Sequence, residues 1–241
     1  MLRTAVVSTA VHKIIIYSSL CRIIIVVLYE KGHVLMTRLL NRLKLRFGRY
    51  TIDNLMLVIC IGQLIVFFAD LLTRGWASDL LWLSWSDVTH GQIWRLVTFI
   101  FEPNTSSLLS LIITVYFYYF IGGTLENEWG SFNFNCYYLL GMICNIAASV
   151  FTGYGTSYYL NLTLFFAFSM LYPDFQLLFF YVIPLKAKWI ALIDGLFYLY
   201  EFILYPGLRL NMLASLVPFI LFFWEDMISA VRRWRFRMKN R

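Results

Sequence analysis

Charged residues are scarce in this chain of 241 residues. Only 14% of its positions are charged, whereas 61% are hydrophobic. A soluble domain averages about a quarter charged and about half apolar residues. The composition therefore excludes a soluble globular domain and predicts a single polytopic helical membrane domain. The 22 Phe, 16 Tyr and 8 Trp residues are typical of lipid-facing helices and interfacial belts.

Cysteine and histidine are also rare. The four cysteines lie in or beside apolar runs, without CxxC or Cys/His spacing: Cys21, Cys60, Cys136 and Cys144. This placement favours buried or lipid-facing thiols over metal ligands or disulfides. The three histidines, none of which lies in an apolar span from Asn54 onward, are His12, His33 and His90. We therefore expect no metal site and no cofactor.

The positive charge is placed beside the apolar runs. The formal net charge is +7, but the basic residues form short clusters at the ends of apolar stretches. The expected partner is thus a lipid bilayer and not a nucleic acid. Residues 36–53 carry five Lys/Arg next to leucines, a pattern typical of a basic amphipathic helix on an anionic cytoplasmic leaflet.

Residues 1–35 fit no span well. Lys13 and Arg22 interrupt their apolar runs, and a charge near a helix centre costs about 2.5–3.5 kcal/mol on insertion scales. Glu30-Lys31-Gly32 requires a purine-rich codon run just before Met36, as in a bacterial ribosome-binding site. We hypothesise that translation starts at Met36, which N-terminal sequencing of the native protein tests. The alternative is an extra, weakly inserted N-terminal helix.

Six apolar runs follow, and each is read as a membrane span. A helix needs about 20 residues to cross a hydrocarbon core of about 30 Å. The predicted spans are 54–73, 108–123, 132–152, 158–172, 189–205 and 208–224. They define a membrane domain over 54–226, followed by a basic cytoplasmic tail at 227–241.

The long loop 74–107 separates the first two spans. Its four tryptophans are typical of the headgroup zone, where the indole body is buried and its N–H stays wet: Trp76, Trp82, Trp85 and Trp94. We expect a short interfacial helix over residues 79–87 of this loop.

A second connection, residues 175–189, is apolar but contains Pro184. Proline lacks a backbone donor, and lipid cannot replace a lost hydrogen-bond partner. We expect an irregular loop that dips partly into the membrane, with Lys186 and Lys188 at the surface.

Basic residues predict the orientation. Five Lys/Arg lie in 36–53, two in 186–188 and six in 232–241, whereas 74–107 has two and 153–157 has none. With six spans, the three segments richest in Lys/Arg, 36–53, 186–188 and 232–241, all lie on one side of the membrane. Both ends of the six-helix domain are therefore expected in the cytoplasm, with the protein multi-pass in the cytoplasmic membrane.

Four short motifs follow one another through these spans. They are Trp94-Arg95 at the end of the long first loop, Gly122-Gly123, Glu126 with Gly130-Ser131, and a short fourth span followed by YPDFQLLFF. Their order resembles the rhomboid superfamily, which includes intramembrane serine proteases, derlins and inactive rhomboid-like proteins. The resemblance covers about residues 40–225. It implies an all-α membrane protein, a six-transmembrane-helix rhomboid-like bundle with a long interfacial first loop.

The positions that carry catalysis in active rhomboids are changed here. The resemblance implies a serine in GxSG opening the fourth span, HxxxN in the second span and a histidine in the sixth, because a serine hydroxyl needs an adjacent base. Asn161 falls on the serine position, and Ser110 and Thr114 fall on the HxxxN pair. The sixth span has no histidine. We therefore expect a pseudoprotease that acts as a membrane-embedded binding or adaptor protein for transmembrane segments of other proteins.

Two other functions stay open. One is an intramembrane serine-type endopeptidase with a non-standard site, for which Ser169 is the candidate, although a bond back to a helical carbonyl explains that serine more simply. The other is a small-solute or proton transporter using Asp194 and Glu201, which lie seven residues apart and share a helix face. The structural alternative for these two carboxylates is pairing, with Arg209 as the partner of Glu201.

Three further polar residues have structural interpretations. Asn161 and Asn211 belong to the two helices that carry the dyad in proteases, so we hypothesise that they form a polar bridge in its place. Arg95 either binds lipid phosphate or braces the first loop internally, and the resemblance favours the brace.

Overall fold

The computed structural model describes residues 44–46, 48–103, 105, 107–179 and 183–239. Residues 51–224 form one compact unit, and the described residues before 51 and after 224 belong to another. In that second unit, residues 44–46 are helical and a 3-10 turn covers Gly48–Tyr50. The predictions for residues 1–35 and for most of the amphipathic segment 36–49 fall outside the described residues.

The described chain is mostly helical. In order, the helices are α1 Leu55–Thr73, α2 Trp76–Leu81, α3 Trp85–Thr89, α4 Arg95–Thr98, α5 Leu108–Trp129, α6 Ser131–Thr152, α7 Tyr158–Leu171, α8 Ala187–Leu204 and α9 Arg209–Lys239. The strands are β1 Leu83–Ser84, β2 Tyr154–Gly155, β3 Gln176–Phe179 and β4 Ile183–Lys186. Further 3-10 turns cover Phe99–Phe101 and Pro206–Leu208.

Four helical segments are long and apolar enough to cross a membrane. They are Leu55–Thr73, Leu108–Trp129, Ser131–Thr152 and Pro206–Trp224. Helix α7 has only 14 residues and is about 21 Å long. Helix α8 has 18 residues but includes Lys188, Asp194 and Glu201. The chain is thus a helical membrane protein with four such segments among its described residues, two fewer than the six spans predicted.

One end of the bundle is marked by Glu126. Its Oε1 accepts a hydrogen bond of 2.7 Å from the backbone N–H of Asn54, so the start of α1 meets the end of α5. At the same end, the hydroxyl of Tyr172 after α7 donates to Glu128 Oε2 at 2.8 Å. The connections α5–α6 and α7–α8 therefore share the end at which α1 begins.

The opposite end is held by a two-stranded sheet. Strand β1 of the first loop pairs antiparallel with β2 between α6 and α7, with Leu83 opposite Gly155 and Ser84 opposite Tyr154. Asn211 in the first turn of α9 donates to the carbonyl of Tyr154 at 3.1 Å. The six helices α1 and α5–α9 consequently run alternately between the two ends.

Helix α5 is longer than predicted. The predicted span ends at residue 123, but the helix continues through Glu126 and Glu128 to Trp129. It ends because Gly130 has φ +81° and ψ 149°, a conformation open almost only to glycine. Gly122 and Gly123 do not break the helix, since Gly122 is buried at a helix contact.

Two connections also differ from the predictions. The expected helix over residues 79–87 is split at β1, because Leu83 and Ser84 pair with β2 instead of continuing a helix. The expected irregular loop is an antiparallel hairpin of β3 and β4, in which Gln176 pairs with Lys186. The hairpin gives backbone groups partners that lipid cannot supply. As predicted, the side chains of Lys186 and Lys188 are exposed.

The core is aromatic and includes the first loop. Its largest fully buried side chains are Tyr137, Tyr138, Phe99, Phe134 and Phe168. Phe99 and Leu83 belong to the loop between α1 and α5, and both are fully buried. The first loop is therefore part of the packed interior.

Helices α1 and α5 approach closely at Gly122. A Cβ on Gly122 would overlap the Cβ and Cγ of Met56 on α1, which is 1% exposed. A Cβ on the adjacent Gly123 would meet no atom within 4 Å. The effects of substituting the two neighbouring glycines can therefore be compared, because only Gly122 is required by helix packing.

We expect Gly122→Ala to destabilise the detergent-solubilised protein by about 1–3 kcal/mol, because the added methyl group displaces Met56. Gly123→Ala is the matched control and should leave stability unchanged or raise it slightly, since alanine has the higher helix propensity. Denaturant unfolding followed by tryptophan fluorescence measures both. Equal losses of stability in the two variants would contradict the close approach of α1 and α5 at Gly122.

Candidate functional site

The candidate site is the region of α7 and α9 that contains Asn161 and Asn211, the two residues predicted to form a polar bridge. Asn161 on α7 is fully buried. Its Oδ1 accepts a hydrogen bond of 3.1 Å from the hydroxyl of Tyr138 on α6. Its Nδ2 is buried and has no hydrogen-bond partner among the described residues. The carboxamide of Asn161 is a weak nucleophile, because the lone pair of its nitrogen is delocalised into the carbonyl group.

Asn211 on α9 belongs to a second polar cluster. Besides its bond to Tyr154, it has Thr152 Oγ1 at 3.2 Å from its Oδ1. One turn later, Ser215 Oγ lies 2.9 Å from the carbonyl of Asn211 and 3.2 Å from Asn145 Oδ1. Asn211, Ser215 and Asn145 are all fully buried. This cluster ties α9 to α6 and to the turn that follows α6.

The predicted bridge between Asn161 and Asn211 is not formed among the described residues. Each amide instead bonds to α6, Asn161 through Tyr138 and Asn211 through Thr152. The reason is that α6 presents polar groups along its buried side, and lipid cannot satisfy a buried amide. The two asparagines therefore stabilise contacts of α6 with α7 and with α9 separately.

The remaining candidates for serine chemistry also have no base. Ser110 is exposed in the first turn of α5, and neither it nor Thr114 makes a side-chain hydrogen bond in the described part of the chain. Ser169 Oγ donates to the carbonyl of Phe166 at 2.9 Å, which is the back-bond expected for a helical serine. His90 is exposed in the first loop, with Nδ1 at 2.6 Å from the carbonyl of Ser86. Within the described residues, no serine hydroxyl is hydrogen-bonded to a histidine ring.

Arg95 braces the first loop from inside. Its side chain is 6% exposed, and Nη1 donates to the carbonyls of Asp79 and Trp82, both at 2.8 Å. Its Nε donates to Gln92 Oε1 at 2.7 Å, and its Nη2 lies 3.4 Å from Asp87 Oδ2. The planar guanidinium thus joins α2, Trp82 between α2 and β1, and α3 through several donors at once. This is the loop-bracing role that the resemblance favours.

The other motif residues have structural roles. Trp94 is 48% exposed, and its Nε1 donates to the carbonyl of Leu80 at 3.3 Å. Glu126 is buried and places a carboxylate at the N-terminus of α1, where the helix dipole favours negative charge. Gly130 provides the turn in positive φ that allows α6 to start at Ser131.

The predicted ion pair between Glu201 and Arg209 is wrong. Arg209 Nε and Nη2 donate to the carbonyls of Phe202 and Ile203, at 2.8 and 3.0 Å. These carbonyls lie in the last turn of α8, where a helix leaves its C=O groups unpaired. Glu201 Oε2 instead accepts a hydrogen bond of 3.1 Å from the hydroxyl of Tyr159.

Asp194 differs from Glu201 in having no partner. It lies half-buried on the same inward face of α8, yet it makes no hydrogen bond or ion pair with any described residue. The two carboxylates therefore share a face, as predicted from their spacing, but only one of them is bonded.

Sequence reasoning missed the tyrosines that partner these residues. Tyr138 and Tyr159 each donate to a buried or half-buried polar group on another helix. The only signal in the sequence is the presence of tyrosines within apolar runs, which does not identify their partners. Three-residue groups of His, Cys, Asp or Glu that could hold a metal ion do not occur in the described part of the chain.

Glu102 at the end of the first loop has an unusual electrostatic environment. Burial, followed by the charges of Asp70 and Asp79, raises the pKa of Glu102 from 4.5 to about 7. The folded chain therefore holds a proton on this carboxyl more tightly than the unfolded chain does.

Comparison of the chain with models of known protein families, with curated proteins and with solved structures gave no match.

We expect Arg95→Ala to lower the free energy of unfolding by about 2 kcal/mol or more, because two buried carbonyls lose their donor. Arg95→Lys should not restore it, since an ammonium group lacks the planar fork. The control is Arg74→Gln, which changes an exposed arginine at the start of the same loop. Chemical unfolding in detergent measures all three, and equal losses at Arg95 and Arg74 would contradict the brace.

The raised pKa of Glu102 predicts that stability falls as pH rises from about 4.5 to about 7, because the folded state binds more protons in this range. Above about 7 the contribution stays constant. We expect Glu102→Gln to remove this component of the pH dependence, and Asp79→Asn to move its upper limit to lower pH. Melting temperatures measured across pH 4–9 test this. A pH profile of the melting temperature that is unchanged in Glu102→Gln would contradict the assignment of this pH dependence to Glu102.

Proposed function

We propose that this chain is a rhomboid-like pseudoprotease of the cytoplasmic membrane that binds transmembrane segments of other membrane proteins. The alternation of α1 and α5–α9 between two ends supports a rhomboid-like arrangement, with α7 and α8 as the fourth and fifth elements of a six-span bundle. The distribution of basic residues supports a cytoplasmic position for the Glu126 end. The folded first loop, braced by Arg95, supports the same arrangement.

The occupied catalytic positions support binding without cleavage. Asn161 is hydrogen-bonded to Tyr138, and Ser169 is bonded to a helical carbonyl. Proteolysis needs a nucleophile and a base within hydrogen-bond reach of each other. A bundle with this interior retains surfaces for other helices, but its described residues include no serine hydroxyl that is hydrogen-bonded to a histidine base.

The packing of α8 is the observation that carries the proposal. Helix α7 buries nine of its 14 residues, whereas α8 buries only Ala187 and Tyr198 of its 18. Its large exposed apolar side chains are Trp189, Leu192, Ile193, Leu196, Phe197, Leu199, Tyr200, Ile203 and Leu204. Transmembrane helices associate through van der Waals packing and hydrogen bonds. A helix held by so few buried residues leaves a long face on which a second transmembrane helix packs.

Photocrosslinking in native membranes tests this proposal. A benzoylphenylalanine at Phe197 on α8 should yield covalent adducts with uncleaved membrane-spanning proteins, identified by mass spectrometry. The same group at Ile65, which is 64% exposed on α1, is the matched control. Adducts specific to Phe197 are expected, whereas lipid adducts alone, or the same proteins at both positions, would count against a binding face on α8.

Two measurements separate the other candidate functions. Labelling by an alkyl fluorophosphonate that disappears in Ser169→Ala would indicate proteolysis in place of binding. Solute or proton flux in proteoliposomes that disappears in Asp194→Asn would indicate transport. We expect neither result.

A further inference from the structure

Helix α5 presents an exposed stripe with the spacing of a coiled-coil seam. Its members lie alternately three and four residues apart, as positions a and d of a heptad do: Leu109, Ile112, Tyr116, Tyr119 and Gly123. At about 100° per residue, these five residues fall within about 80° of the helix circumference. The four that have side chains are between 48% and 70% exposed. They form a single continuous face, the α5 stripe.

The bundle contacts α5 elsewhere on its circumference. Gly122 packs against Met56 of α1, and the ring of Phe117 lies 5.4 Å from the ring of Phe165 on α7. Both positions point about 100° or more away from Gly123, at the centre of the α5 stripe. A Cβ added to Gly123 would meet no atom within 4 Å. The described bundle therefore leaves the α5 stripe without a packing partner.

Two tyrosine hydroxyls lie on the α5 stripe near the middle of the membrane. Tyr116 and Tyr119 are within about 4 Å of the midpoint of α5 along its axis, and a hydrocarbon core extends about 15 Å to either side of its centre. A tyrosine side chain is too short to reach the headgroups from this depth. Neither hydroxyl has a hydrogen-bond partner among the described residues. The hydrocarbon core cannot supply one, so the partner must come from outside the described bundle.

This depth is unusual for a tyrosine. Aromatic residues with a polar tip are typical of the two membrane interfaces. The other exposed tyrosines among the described residues of 51–224 lie at a helix end or within about one turn of it: Tyr158, Tyr200 and Tyr205. The position of Tyr116 and Tyr119 thus indicates a helix contact and not an interfacial anchor.

A second copy of the chain fits the α5 stripe, because the stripe is complementary to itself. In a symmetric dimer the same patch meets on both subunits, and copies inserted in one membrane have parallel α5 helices. A hydroxyl both donates and accepts, so Tyr116 and Tyr119 can each bond to the equivalent residue of the other copy. Gly123 allows the two backbones to approach closely. The α5 stripe carries no charge that would repel its copy.

We propose that the protein dimerises in the membrane through the α5 stripe, with the tyrosine hydroxyls hydrogen-bonded between the two copies. The interface lies on α5 and not on α8, so the inference does not depend on the proposed binding of other proteins. Both hydroxyls gain a partner, and the two stripes pack against each other in place of lipid.

Energy transfer between two labelled populations of the full chain tests the proposal. Copies with a donor or an acceptor fluorophore at the C-terminus are reconstituted in phosphatidylethanolamine–phosphatidylglycerol vesicles at decreasing protein-to-lipid ratios. We expect a dimer whose dissociation constant rises about tenfold in the double variant Tyr116→Phe/Tyr119→Phe, which keeps both rings and removes both hydroxyls. Tyr200→Phe is the matched control, because it removes an exposed hydroxyl from α8, and it should leave the dissociation constant unchanged.

A second pair of variants tests the close approach of the two copies. Gly123→Leu adds a side chain to the α5 stripe where the bundle has no atom to displace. We expect loss of the dimer and an unchanged melting temperature of the monomer in excess detergent. Gly195→Leu on α8 is the matched control, since a Cβ there also meets no atom within 4 Å, and it should retain the dimer.

Three results would overturn the inference. The first is a chain that stays monomeric at every protein-to-lipid ratio, which would assign the α5 stripe to lipid. The second is a dissociation constant that the double tyrosine variant leaves unchanged, or that Gly123→Leu and Gly195→Leu raise equally. The third is a monomeric chain in which a benzoylphenylalanine at Ile112 captures a different membrane protein, which would assign the stripe to a foreign helix.

Discussion

The hydrocarbon core of a bilayer neither donates nor accepts hydrogen bonds, so a buried polar side chain in a membrane domain needs a partner within the protein. Helix α6 supplies many of these partners here. The hydroxyl of Tyr138 on α6 donates a hydrogen bond to the amide oxygen of Asn161, and the hydroxyl of Thr152 donates one to the amide oxygen of Asn211. Because α7 and α9 both bond to α6, Asn161 and Asn211 stabilise the packing of these helices.

In the first loop, the side chain of Arg95 supplies hydrogen-bond partners to backbone carbonyls. Arg95 donates to two backbone carbonyls and to Gln92, so the loop is folded tightly enough for β1 to pair with β2. That pairing joins the loop to the connection between α6 and α7. The loop thereby contributes Phe99 and Leu83 to the core, which gives it a structural role as well as a place in the headgroup zone.

In helix α8, not every polar side chain has a hydrogen-bond partner within the described part of the protein. Glu201 and the end of the helix are satisfied by Tyr159 and Arg209, but Asp194 is not bonded by the described residues. The helix also buries few residues. A membrane helix with weak packing and an unpaired carboxylate has more to gain from a partner than the well-packed α7.

The sequence by itself determined the membrane class and the ends of α1, α6 and α7 to within a residue or two, because apolar run length and turn glycines act locally. It also indicated that Asp194 and Glu201 share a face. Only the tertiary structure decided that α5 continues past Gly123, that Arg209 binds carbonyls and not Glu201, and that Asn161 and Asn211 both bond to α6. Those outcomes depend on contacts between groups that are far apart in the chain, such as the hydrogen bond between Glu126 and Asn54. The separation of two residues along the sequence does not reveal such a contact. A hydrogen-bond partner is selected by distance in space, and the packing of the helices sets that distance.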